Sequence, residues 1–180
     1  MKAMKTPFQR VAEMNTAFGN PKGDFTAIDK HKLRKQCLNI FDEYTELLFA
    51  LGCDLQAIEE LKIAHQGIAT SFDHNIIVDD IRDALADIQV FKDGALHFMG
   101  VDGDADMHAV VDGVMTRFVK NDEDMIATVK LHAGKGVTKV YFEGEYPSKV
   151  MKSAVDQPDA PKGKFLKSAS YTNTVFPEVK

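Results

Sequence analysis

The chain has 180 residues, of which 44% are hydrophobic and 27% charged, and its formal net charge is −5. These values are typical of a soluble globular protein, and the length predicts a single domain over residues 1–180. The acidic balance argues against broad binding to nucleic acid or to a membrane surface. No stretch is apolar enough to predict a transmembrane helix, and residues 1–10 lack the apolar core of a signal peptide. We therefore expect a cytoplasmic protein whose two cysteines, Cys37 and Cys53, are buried free thiols.

The first 120 residues have the apolar periodicity of helices joined by short polar turns. Thr6 and Pro7 suit the start of the first helix, and Asp54 and Asp104 are placed to cap later ones. Gly52 suits a helix stop. The predicted helices cover residues 6–18, 28–51, 55–72, 76–99 and a final segment from 104 to about 118. The pattern indicates an antiparallel bundle of four or five helices over residues 6–120.

The composition changes after residue 120. Residues 121–124 form a polar link, and residues 125–131 and 136–142 have the character of short strands on either side of the Gly134-Lys135-Gly136 turn. Prolines mark an irregular tail, which carries a basic run at 162–167. The predicted fold class is therefore all-α, a helix bundle with a small C-terminal β-hairpin and tail over residues 121–180.

Two acidic clusters interrupt the apolar faces of predicted helices. Glu43 and Glu46 are three residues apart and can converge from one turn, while Asp80, Asp83 and Asp87 follow a helical stripe. Solvated helix faces are the ordinary interpretation of such runs. Carboxylates near a core, however, need a partner, because burying an unpaired charge is expensive. Either Arg82 or a divalent cation held by carboxylate oxygens would provide one.

Other common catalytic patterns are absent from the sequence. No two of the six histidines have the spacing of a zinc site, and neither a Gly-x-Ser-x-Gly motif nor a P-loop is present. Several basic side chains are candidates for phosphate binding. They include Arg117, Lys164 and Lys167.

The spacing of these acidic residues resembles that of the all-α nucleoside triphosphate pyrophosphohydrolases, the MazG-like superfamily. Glu43-x-x-Glu46 is similar to the first signature motif of that group, and residues 83–88 (Asp-Ala-Leu-Ala-Asp-Ile) are similar to the second. The phosphoribosyl-ATP pyrophosphohydrolase-like proteins are the nearest in pattern. Gly94, Gly100-Val101-Asp102 and the tail run 163–167 with Tyr171 and Pro177 extend the likeness. It covers most of the chain, with residues 54–75 and 125–161 resembling insertions.

The resemblance implies a set of site residues, all named here by their own positions. Glu43, Glu46, Asp83 and Asp87 would hold Mg²⁺, or Mn²⁺ in its place, and Glu43, Glu46 and Arg117 would serve catalysis. Asn15, Arg117, Lys164 and Lys167 would bind substrate. The chain departs from the motif at Ala84, where the second-motif Glu would stand, so Asp83 or Asp80 must substitute. It departs again at Val114, where the phosphate-binding run has a hydrogen-bonding side chain.

The function implied by the resemblance is Mg²⁺-dependent hydrolysis of a nucleoside triphosphate, or a related nucleotide, to a monophosphate and pyrophosphate. The implied partners are the nucleotide and a second copy of the chain, in a homodimer or a dimer of dimers. Two alternatives remain open. In the first, the protein is helical and binds a nucleotide, a metal or a partner without catalysis. In the second, it presents an acidic partner-binding surface without any metal.

Overall fold

The computed structural model describes residues 5–70 and 75–178, with side chains described over 5–68 and 75–178. This part of the chain is mainly helical, with a small antiparallel sheet near its C-terminal end, as predicted. The helices are α1 (Pro7–Ala17), α2 (Lys30–Ala50), α3 (Leu55–Thr70), α4 (Val78–Met99), α5 (Gly103–Met115) and α6 (Asp122–Ala133). The strands are β1 (Val140–Glu143), β2 (Val150–Ser153) and β3 (Phe165–Leu166), in the order β1-β2-β3.

Side-chain caps explain where several helices begin. Thr6 and Gln9 form a reciprocal capping box at the start of α1, and Asp54 accepts the Ala57 amide at 2.8 Å before α3. Both caps lie at predicted positions. The predicted cap Asp104 is wrong: Asp102 caps α5 by accepting from the amides of Asp104 and Ala105. The turn predicted at residues 73–75 falls mostly outside the described residues.

The prediction of a strand at 125–131 is wrong, because this segment lies within α6. Asn121 caps the helix by accepting the Asp124 amide at 2.9 Å. Three acidic residues in the first turn and Lys130 and His132 in the last complement the helix dipole. The hairpin forms later in the chain, with Val140 opposite Ser153 and Glu143 opposite Val150.

The chain divides into two compact units, which we describe separately. The terminal unit comprises Met1–Lys22 and Phe91–Lys180. In it α1 packs against α5, and the buried core at the sheet joins Val137, Met151, Ala160 and Leu166. Aromatic rings extend the packing, with Phe118 lying 4.6 Å from Phe18 and 6.0 Å from Phe165 between ring centroids.

The middle unit comprises Gly23–Val90. Within it α2 packs against α3, and the rings of Phe41 and His65 stack with their centroids 3.7 Å apart. Thr45 and Ile58 are the buried side chains among the described residues of this unit. Both cysteines are free, but Cys37 is only partly buried and Cys53 is exposed, so their predicted burial is wrong. None of the described helices has the length and apolar character needed to cross a membrane.

Candidate functional site

The predicted metal ligands all lie in the middle unit, on the exposed faces of two helices. Glu43 and Glu46 flank the buried Thr45 on α2, and Asp83 and Asp87 lie one turn apart on α4. All four carboxylates are exposed. Within the described ranges none of the four takes part in an ion pair or side-chain hydrogen bond. Their negative charge is therefore not balanced by a side chain of the described chain.

The two acidic pairs are not gathered into one cluster. Over the described residues, no group of three or more His, Cys, Asp or Glu side chains is arranged to hold a metal ion. Arg82, the alternative partner for the second cluster, instead pairs with Asp79 at 3.2 Å and lies 5.9 Å from the ring of Phe25. The structure thus brings together the members of each pair, but not the two pairs.

Asn15 lies on α1, in the terminal unit, where its side-chain amide donates to the Val11 carbonyl at 3.0 Å. Beside α1 is an open groove of about 1040 Å³ between α1 and α5. Its lining mixes charges of both signs, with Arg10 bonded to Asp112 and approaching His108 at 3.5 Å. Asn15 is not part of the lining. The predicted substrate role of Asn15 stays a prediction.

The predicted phosphate-binding residues separate into two places in the terminal unit. Arg117, just after α5, and Lys167 both approach the ring of Tyr171: the Arg117 Cζ lies 5.8 Å from the ring centroid and the Lys167 Nζ 4.0 Å. Lys164 is elsewhere engaged, since its ammonium donates to the Asp159 carbonyl at 2.7 Å. Arg117 and Lys167 therefore both lie near the ring of Tyr171, and Lys164 makes a different contact.

Electrostatics at Tyr171 reflect these two cations. A hydrogen bond from the Lys167 ammonium and the positive charges of Lys167 and Arg117 lower the pKa of Tyr171, against a smaller opposing effect of burial. The Nε atom of Arg117 is buried and has no hydrogen-bond partner. In the described residues, neither Arg117 nor Lys167 forms an ion pair. Arg117, Lys167 and Tyr171 are called here the cationic cluster.

The tail around Lys167 and Tyr171 is held in place by hydrogen bonds, most of them partly buried, to α6 and to Thr116 just after α5. Ser168, Thr128 and His132 are buried polar residues that take part in these bonds. The bonds, by donor and acceptor, are His132 Nε2 to the Lys167 carbonyl (2.9 Å), Ser168 Oγ to the Thr116 carbonyl (2.8 Å), the Ala169 amide to Thr128 Oγ1 (2.9 Å), Ser170 Oγ to Asp124 (3.0 Å) and the Thr172 amide to Thr116 Oγ1 (3.0 Å). The backbone that carries the cationic cluster is thus fixed on both sides of Lys167.

The contacts made by Thr128, Asp124 and Ser168 were not predicted from the sequence. A Thr inside an apolar helical run and a Ser-x-Ser segment after a basic run are weak signals, because both patterns are common on surfaces. Gly113 is more telling, since a Cβ there would lie 2.8 Å from Thr174 Oγ1. A glycine in the middle of a helix is a usable sign that another segment crosses closely.

Comparison with protein-family models, with characterised proteins and with solved structures found no match to this chain.

Proposed function

We propose that this chain is a Mg²⁺-dependent nucleotide pyrophosphohydrolase that cleaves a nucleoside triphosphate, or a related nucleotide, into a monophosphate and pyrophosphate. The observation that carries the proposal is the set of four exposed and unpaired carboxylates, Glu43, Glu46, Asp83 and Asp87, in the middle unit. Helical residues three or four apart project from the same face, so each pair can act together.

The donor set fits Mg²⁺ chemically, because a hard divalent cation takes oxygen ligands and commonly completes its shell with water and substrate phosphates. A bound Mg²⁺ supplies positive charge that offsets the charge of the phosphates and favours attack by water. Mn²⁺ would suit the same ligands. In the proposed roles, Glu43 and Glu46 would hold the ion and one of them would accept the proton of the attacking water.

We propose that a homodimer, or a dimer of dimers, completes the helix bundle and brings the acidic pairs together with the nucleotide. The support is the apolar surface that the middle unit leaves exposed. Large exposed apolar patches are typical of interaction sites. The exposed residues of this unit include Leu47, Phe49, Leu51, Leu55, Ile63, Ile68, Ile77, Leu85, Ile88 and Val90. With so few fully buried side chains of its own, this unit gains a core by association.

The test is pyrophosphate release from a panel of ribo- and deoxyribonucleoside triphosphates with Mg²⁺ or Mn²⁺. We expect turnover by the natural chain and a loss of about a hundredfold or more in Glu46→Gln, which removes a charge with little change in shape. Glu59→Gln is the matched control, because Glu59 is an exposed glutamate of α3 in the same unit. Absence of turnover with every nucleotide, with Glu46→Gln binding nucleotide as the natural chain does, would reject the proposal.

A second candidate is a helical protein that binds a nucleotide, a metal or a partner without catalysis. It is favoured by the separation of the two acidic pairs in the described chain and by Ala84 and Val114 at motif positions. A thermal-shift titration with Mg²⁺ distinguishes a metal-binding protein from one that binds only a protein partner. Mg²⁺ that binds the native state raises its melting temperature. An acidic surface that binds only a protein partner leaves it unchanged.

A further inference from the structure

The cationic cluster places three hydrogen-bonding groups of the terminal unit in one neighbourhood. They are the Arg117 guanidinium, the Lys167 ammonium and the Tyr171 hydroxyl. A guanidinium, an ammonium and a phenol together can donate to several oxygens of one phosphoryl group. Neutral or cationic ligands have no comparable match to this set of donors.

The unsatisfied nitrogen at Arg117 is the second observation. Its Nε is buried without any hydrogen-bond partner. A buried donor that lacks an acceptor costs free energy, and a guanidinium is the group best suited to bind phosphate. An anion bound at this guanidinium would offset the local positive charge, although the chain as a whole carries a net charge of −5.

Within the described residues, no carboxylate forms an ion pair with Arg117 or Lys167. The Asp124 carboxylate accepts from Ser170 Oγ at 3.0 Å, from the Ser170 amide at 3.2 Å and from the Lys120 amide at 3.0 Å. Asp124 therefore anchors the tail rather than neutralising Lys167. The hydrogen bonds on either side of Lys167 also limit its backbone freedom, which reduces the entropy lost on binding.

We propose that Arg117, Lys167 and Tyr171 form a phosphoryl-binding site that works without a divalent metal and includes Tyr171 as a ligand. The phosphoryl group belongs either to a nucleotide or to free pyrophosphate, and these share the chemistry that the site recognises. This inference deepens the proposed function and rests on it for the identity of the phosphate, but the site itself lies within the terminal unit and needs none of the carboxylates.

The experiment is isothermal titration of the full chain with inorganic pyrophosphate in the presence of EDTA at constant ionic strength. We expect saturable binding that weakens about tenfold in Lys167→Gln, the effect of losing one charge-assisted hydrogen bond. Tyr171→Phe should weaken binding by about threefold, because it keeps the ring and removes only the hydroxyl. Lys139→Gln removes the same charge from an exposed lysine of this unit and should leave the affinity unchanged.

A second titration with a nucleoside triphosphate, again in EDTA, separates the two sources of phosphate. If Lys167→Gln weakens the binding of both pyrophosphate and the nucleotide, the site accepts either ligand. If it weakens the binding of the nucleotide alone, the site is specific for the nucleotide. The inference is overturned if neither ligand binds the natural chain, or if Lys139→Gln weakens binding as much as Lys167→Gln. Because EDTA removes the metal, a failure of hydrolysis in the earlier test leaves this result unaffected. Lys167 is exposed and Tyr171→Phe preserves packing, so both variants are expected to fold.

Discussion

Thr128 Oγ1, on α6, accepts the backbone amide of Ala169 at 2.9 Å and donates to the Asp124 carbonyl at 2.6 Å. Thr128 is fully buried, and its bond to Ala169 ties α6 to a segment 41 residues further along the chain. A single hydroxyl thereby serves both the helix and the tail that carries Lys167 and Tyr171.

Thr128→Val tests this link, because valine has nearly the same shape and cannot form either bond. We expect a loss of about 1–3 kcal/mol in the free energy of unfolding, since the Ala169 amide loses its acceptor in a partly buried bond. Chemical denaturation measures it. Thr138→Val is the control, because Thr138 is exposed in the same unit. Equal stability of the Thr128 variant and the natural chain would contradict the assigned role.

Asp83→Asn tests which residue replaces the second-motif glutamate. Asp83 lies four residues before Asp87, so both carboxylates project from one helical face. We expect the variant to lose about tenfold in Mg²⁺ affinity, equivalent to about 1.4 kcal/mol. Asp80→Asn is the comparison and should lose less. Titration of Mg²⁺ followed by thermal shift measures both. If Asp83→Asn binds Mg²⁺ like the natural chain, the second half of the site depends on Asp87 alone.

Phe49→Glu tests the proposed association through the middle unit. The Phe49 side chain is 63% exposed in the single chain, so a charge there should leave the helix intact and disfavour an apolar interface. The chain mass is 20.0 kDa, and light scattering should give at least twice that for the natural protein. We expect the variant to shift to the mass of one chain. Gln36→Glu, at an exposed polar position of α2, should associate normally. A natural protein that is monomeric at all concentrations would refute the association.

The tyrosines should ionise in separate steps on alkaline titration. A hydrogen bond donated to Asp122 at 2.6 Å, with burial and the charges of Asp122, Asp124 and Glu145, raises the pKa of Tyr146 to about 12. The lowered pKa of Tyr171 has the opposite sign. Phenolate absorbance should therefore lose a step near pH 12 in Tyr146→Phe and a step below pH 10 in Tyr171→Phe.

The same shift at Tyr146 affects stability with a definite sign. Tyrosine in an unfolded chain titrates near pH 10, so the folded state favours the neutral phenol. Its contribution is fully present below about pH 10 and is lost as the pH rises to about 12. Unfolding measured across this window should show a smaller decline in Tyr146→Phe. An identical decline in the variant would show that the Asp122 bond does not survive in solution.

The parts of the fold that the sequence predicts correctly depend on local features such as helix caps. Thr6 and Asp54 were identified as caps because a cap depends on bonds to residues three positions away. The strand predicted at 125–131 failed because its apolar residues also suit a helix, and the cap at Asn121 was overlooked. Short apolar runs are ambiguous between the two structures, and flanking caps decide between them.

The candidate site was only partly predictable for a similar reason. The sequence places Glu43 and Glu46 one turn apart, and their exposure follows from helix geometry. Whether the acidic pair of α4 meets them depends on tertiary or quaternary packing that spacing does not specify. The cationic cluster was missed as a unit because Arg117 and Tyr171 are 54 positions apart in the sequence. Their proximity depends on the tail hydrogen bonds.

The division of the chain into units has a consequence for the order of folding during synthesis. α1 is synthesised before its packing partner α5, which emerges only after the whole of the middle unit. α1 buries no residue fully and gains little stability alone. The middle unit can therefore form its α2–α3 packing before α1 has its partner α5. We expect closure of the long loop between α1 and α5 to limit the folding rate of the terminal unit.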